Sequence, residues 1–188
     1  MIYIPDYRRP EDLNRIESEA GILATLVYHP DYALHSEFLL PEHFTTVQNK
    51  VLYNALVGIS RSEINTVDTY NIQEQIKHSD PANIDVLSKE TIDEFITMSE
   101  VLARGSIKEY KILVSNVYDV AFRREMLRKL DECRSDLLNI DEEDIKKKIY
   151  AKVDSVMTSY SYGDEVEIYT EKVDSLWNEI QSRQGADS

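Results

Sequence analysis

An all-α fold is what this sequence predicts, and three features carry the prediction. Apolar residues recur at three- and four-residue steps over most of the length, polar capping residues precede several of these runs, and only five Gly and five Pro punctuate the 188 residues. With 42% hydrophobic and 30% charged residues, the composition suits a folded helical protein better than a disordered or all-β one. The length fits one medium domain, or a small domain with an appendage, and either can bury a core without disulfides or metal. The expected architecture is a small globular helical bundle followed by a long antiparallel helical hairpin, then a flexible linker and a short amphipathic helix.

After an N-terminal arm over 1–13, a globular subdomain is expected over 14–105. Ile16, Ala20, Leu23 and Val27 share one helical stripe, with Asn14 and Glu17 spaced as a capping box and Pro30 as a boundary. Tyr32–Phe38 is too brief to assign; Pro41 suits a first helical turn, and Val47, Val51, Leu52, Leu56 and Ile59 mark the buried face of a second long helix. Asp68 is placed to N-cap a short helix through Ile72 and Ile76, with Val67 able to pack on Ile72. The polar stretch from His78 to Lys89, with Pro81, is expected to be a loop. A further helix carries Ile92, Phe95, Ile96 and Leu102, and Gly105 stands where a helix-ending C′ glycine belongs.

Ser106 and Glu109 form a second capping box, opening an apolar series that runs to about Leu138 through Tyr110, Leu113, Val117, Val120, Leu127 and Leu130. At 1.5 Å per residue this helix is about 45–50 Å long, longer than a compact globule. The segment 139–141 supplies a turn, and Glu142, Glu143 and Asp144 stand near the positive end of a helix striped by Ile145, Ile149, Val153, Val156 and Tyr160. Two long amphipathic helices with so short a connection are expected to lie antiparallel over 106–160. The alternative packs both on the first segments as ordinary core helices. Beyond a linker centred on Gly163, within 161–188, Thr170 can cap a last helix whose narrow stripe is Val173, Leu176, Trp177 and Ile180. A helix this short is marginal alone, so a stripe centred on Trp requires a groove to fill.

Several kinds of chemistry lack their residues. None of the five glycines begins a G-x-x-x-x-G-K-[ST] phosphate loop, so no ATP site and no catalytic residue is expected in this chain. His29, His35, His43 and His78 are scattered without ligand spacing, and they are expected on loops or the surface; no metal or cofactor is expected. Cys133 has no partner and is expected to be an inert thiol. Acidic pairs such as Glu17/Glu19, Asp141/Glu142 and Asp164/Glu165 arise on solvated faces when 35 residues are Asp or Glu. The net charge of −14 argues against a broad phosphate-binding face, so direct DNA binding is expected to be weak or absent. Lys146, Lys147 and Lys148 follow three acidic residues and read as a solvated face. No signal peptide or membrane span is recognisable, which makes the cytoplasm the default compartment.

Taken in order, the segments resemble the N-terminal half of the DnaB family of hexameric replicative helicases from about Asn14 onward. The stretches that carry the likeness are Glu17–Pro30, Leu40–Phe44 with Asn49–Leu56, and Val67–Ile76, followed by the long hairpin and the terminal amphipathic helix. The resemblance implies a collar that assembles from dimers up to a hexamer. It also implies a linker helix that docks on a neighbouring subunit's ATPase domain, and recruitment of primase and a helicase loader in DNA replication. ATP, Mg and most DNA contact would then belong to a RecA-like domain outside this sequence. The oligomerisation surface is expected at Tyr110, Leu113, Val117, Val120, Ile145, Ile149, Val153 and Val156, and the docking surface at Val173, Leu176, Trp177 and Ile180. A second function of a different kind is a stand-alone phage regulatory protein that mimics the collar and binds or blocks a host helicase.

Overall fold

The computed structural model describes residues 13–62, 66–139 and 144–161, and every regular element among them is helical. The helices are α1 (Ile16–Tyr28), α2 (Val47–Ser60), α3 (Thr69–Ser79), α4 (Lys89–Leu102), α5 (Ile107–Leu138) and α6 (145–161). Short 3-10 segments at Pro30–His35, Pro41–His43 and Pro81–Val86 join the first four. The chain divides into two compact units, 1–125 and 126–188, and the division falls inside α5.

In the first unit α1 packs on α2 and α4, while α2 packs on α3. Its middle turns are apolar on every side, so Gly21 through Leu26 are all buried and no single stripe faces the core. Ile16 and Val27 of the expected stripe lie at its margins, and Ile16 is 43% exposed. Gly21 allows the close approach of α5, since a Cβ there would stand 2.7 Å from a Leu113 methyl. Thr25 ties a connection down: its hydroxyl donates to the Gly21 carbonyl at 2.6 Å and accepts from the Arg104 amide at 2.9 Å.

Local chemistry explains the helix starts. Thr46, Asp68 and Ser88 N-cap α2, α3 and α4 by accepting from the amides of Asn49, Asn71 and Thr91 at 3.1, 2.7 and 3.2 Å. Ser106 accepts from the Glu109 amide at 3.3 Å and donates its hydroxyl to the Glu109 carboxylate at 2.8 Å, opening α5 where the sequence places it.

Four expectations are corrected. Arg15, not Asn14, is the N-cap of α1, and no side-chain capping bond forms there, so Asn14 and Glu17 build no capping box. Val47 begins α2 but is 51% exposed, because the first turn projects past the surface that α2 buries. The stretch after His78 is not an open loop: α3 continues to Ser79 and Pro81 then starts a 3-10 segment, as its fixed φ allows. Gly105 does not close α4. Ala103 ends it in extended conformation, and no described glycine has positive φ.

Candidate assembly surface

The side chains singled out for oligomerisation fall into two groups. Tyr110 and Val117, at 0% and 1% exposure, lie in the apolar core of the first unit with Val114, and Val120 is buried as well. Leu113 is half-buried against the same core. Side chains with no accessible surface can touch a partner only if the unit opens, so these α5 positions hold α5 to its own unit.

In the second unit the α6 stripe faces inward: Val156 is buried, and Ile145, Ile149 and Val153 are half-buried. Cys133 of α5 is buried too, a thiol shielded from solvent. Charge fixes the relation of α5 to α6. The Lys152 ammonium lies 2.6 Å from Asp136 and 3.5 Å from Glu132, and Lys148 lies 3.3 Å from Asp136. The hydrogen bond from Lys152 holds the Asp136 carboxyl below its ordinary range, Lys129 and then Lys152 do the same for Glu132, and the bond to Asp136 raises the Lys152 ammonium.

The same unit leaves apolar surface uncovered. On α5, Leu127 and Leu130 are exposed, and Leu137 and Leu138 are 63% and 73% exposed. At 3.6 residues per turn these four fall within a sector of about 100°, with Arg134 inside it and Cys133 outside it. Tyr150 and Met157 on α6 are exposed as well. Singly exposed apolar residues are ordinary, but four leucines on one sector of one helix are the composition of a contact face. In the sequence Leu127 and Leu130 belong to the apolar series of this helix, with no face assigned to them. Leu137 and Leu138, which complete the exposed sector, were not singled out. The expected docking residues Val173, Leu176, Trp177 and Ile180 lie outside the described residues.

Two buried polar clusters occupy the first unit. Glu19, 1% exposed, accepts from the Thr45 amide at 3.0 Å and hydroxyl at 2.5 Å, and from the Asn49 side chain at 2.7 Å. Arg124 donates to the Thr45 hydroxyl at 2.8 Å, the Leu13 carbonyl at 3.3 Å and the His43 carbonyl. One carboxylate and one guanidinium thus knit α1, the start of α2 and α5 through shared neutral partners. In the second cluster the Ser36 hydroxyl meets Tyr110 at 2.8 Å and Tyr53 at 3.4 Å, while Tyr53 donates to the Leu39 carbonyl at 3.2 Å. Burial raises the Tyr53 phenol to about 12 and Tyr110 further. Phenols held this firmly neutral serve as hydrogen-bonding cross-links rather than as acids or bases at neutral pH.

His43 corrects the expectation that the histidines lie on loops or the surface. It is 8% exposed, its Nδ1 accepts from the Leu40 amide at 3.0 Å, and its ring packs edge-on to Tyr118. Among the described residues every buried side-chain nitrogen and oxygen has a partner, no group of three or more His, Cys, Asp or Glu is placed to hold a metal ion, and no helix is long and apolar enough to cross a membrane. Comparison with protein-family models and with curated proteins returns no match for this chain.

Proposed function

We propose that this chain is an assembly module, acting in the cytoplasm through protein–protein contact and contributing no catalysis itself. In this reading α5 and α6 form an antiparallel hairpin, and its outer face joins copies of the chain. The ion pairs support the direction: from Lys148 to Lys152 the α6 position rises while the partner carboxylates move back along α5 from Asp136 to Glu132. The observation that carries the reading is the exposed leucine sector, Leu127, Leu130, Leu137 and Leu138, flanking a hairpin face already occupied. The order of the helices and their likeness to the DnaB family extend the proposal to the N-terminal collar of a hexameric replicative helicase. Its linker helix would dock on a neighbouring ATPase domain, and the collar would recruit primase or a helicase loader. ATP, Mg and DNA contact would fall to other domains, in keeping with the net charge of −14.

Light scattering across a concentration series tests the contact. The native chain is expected to rise in mass with concentration, and Leu130→Ser/Leu137→Ser to remain monomeric over the same range. At about 1.5 kcal/mol or more per buried leucine, losing two from each copy weakens association by roughly ten-thousandfold. A native chain that stays monomeric at its highest soluble concentration, or a variant whose curve overlays the native one, counts against the reading.

A further inference from the structure

We infer that α6 is a charge-held latch: it leaves the end of α5 and returns while the first unit stays folded, and the pairing of Lys152 sets how much of the time it is closed. The inference concerns the second unit alone and holds whether or not copies of the chain associate. Burial differs sharply between the two units. Among the described residues after Glu125, Cys133 and Val156 alone are buried, whereas the first unit buries a continuous apolar core that runs from Ile22 to Val117. A segment with few buried apolar side chains opens at a lower free energy than its neighbour, as a cooperative unit of its own.

The covered positions on this end of α5 are Met126, Lys129, Glu132, Cys133 and Asp136, which fall within about 120° of its surface. Three of the five are charged, so the apolar side chains on that face are Met126 and Cys133. From α6 come the stripe of Ile145, Ile149, Val153 and Val156 and, beside it, Lys148 and Lys152. Apolar cover this thin leaves the closed state to the charges. Lys152 lies 2.6 Å from Asp136 and 3.5 Å from Glu132, with its side chain 23% exposed against 16% and 36% for the two carboxylates. Pairs so placed are shielded enough to hold and open enough for salt to screen. Opening bares Cys133 and turns the α6 stripe to solvent. Ionic strength thereby shifts the second unit between a closed helix pair and a state that offers an amphipathic helix to other surfaces.

Cys133 is the only cysteine, so its reaction with N-ethylmaleimide, an uncharged reagent, reports the opening in the full chain. The rate is taken at a dilution where light scattering gives a monomer, and is divided by that of the urea-unfolded chain at the same salt. Raising sodium chloride from about 0.01 M to about 1 M is expected to speed labelling of the native chain several-fold. Lys152→Met keeps the aliphatic stem without the charge; it should label several-fold faster at low salt and lose most of the salt response. Lys152→Arg, which keeps the charge, stays near the native rate. Ile72→Val, a small cavity in the core of the first unit, leaves the rate unchanged; were Cys133 reached only through global unfolding, the rate would rise about fivefold. Labelling as fast as in the unfolded chain, labelling that accelerates with Ile72→Val, or a native rate indifferent to salt overturns the inference. Equal rates in the native and Lys152→Met chains at low salt, or an arginine variant as fast as the methionine one, overturns it as well.

Discussion

Burial of His43 writes a pH dependence into the first unit. Desolvation lowers its pKa from 6.5 to about 4; Glu42 opposes the shift and Arg124 adds to it. Because the folded value lies below the unfolded one, the unfolded chain takes up the proton first as pH falls. The stability contributed by neutral His43 is therefore complete above pH 6.5 and lost progressively down to about pH 4, by about 3 kcal/mol in all. Glu132 and Asp136 are shifted downward, so their contributions are lost in a lower window, below the ordinary carboxylate range. In His43→Asn the Oδ1 atom can accept from the Leu40 amide without titrating. Urea midpoints at pH 7 and pH 5 should then separate in the native chain and nearly coincide in the variant; an equal separation in both would assign the slope to other groups. The sequence shows a proline two residues before this histidine, but not that the turn it starts is covered by Tyr118 and Arg124. Long-range cover of this kind leaves no periodic trace, and the same holds for Glu19, whose partners Thr45 and Asn49 are distant in sequence.

Caps and periodicity made most of the helices legible at the scale of single elements, and changes of environment along a helix hid the rest. Asp68 was readable because an acceptor three residues before an amide, ahead of an apolar run, has a local cause. Replacing it with Ala removes its bonds to the Asn71 amide and side chain and should cost about 1 kcal/mol, seen as a lower urea midpoint with unchanged slope. No change in midpoint would mean that packing of Ile72 and Ile76 alone sets α3. Thr46 and Ser88 cap in the same way, a local signal of the same kind as Asp68. The long α5 was legible in extent but not in what it buries. Tyr110, Val114, Val117 and Ala121 keep one register; Cys133, the buried position after Glu125, is off it. Leu127 and Leu130 continue the apolar series in sequence but lie well off that first register, which passes through Arg124 and Arg128 instead. The leucine sector is a product of that change of register, which a search for one continuous stripe averages away.

At the scale of the molecule, charge and apolar surface act against each other. Copies carrying a net charge of −14 repel one another over the Debye length, about 30 Å at 0.01 M salt and about 3 Å at 1 M. The proposed contact is made by leucines, which salt does not screen. Raising the ionic strength should therefore promote self-association, shifting the light-scattering mass curve to lower protein concentration. The ion pairs of Lys148 and Lys152 with Asp136 and Glu132 respond in the opposite direction, since salt weakens partly exposed pairs. The two effects separate experimentally. Mass reports the contact between copies, while a salt-dependent urea midpoint in the monomeric Leu130→Ser/Leu137→Ser variant reports the pairs within one chain. If salt dissociated the native assembly, the contact would be ionic, and the leucine sector would not be the surface that joins copies.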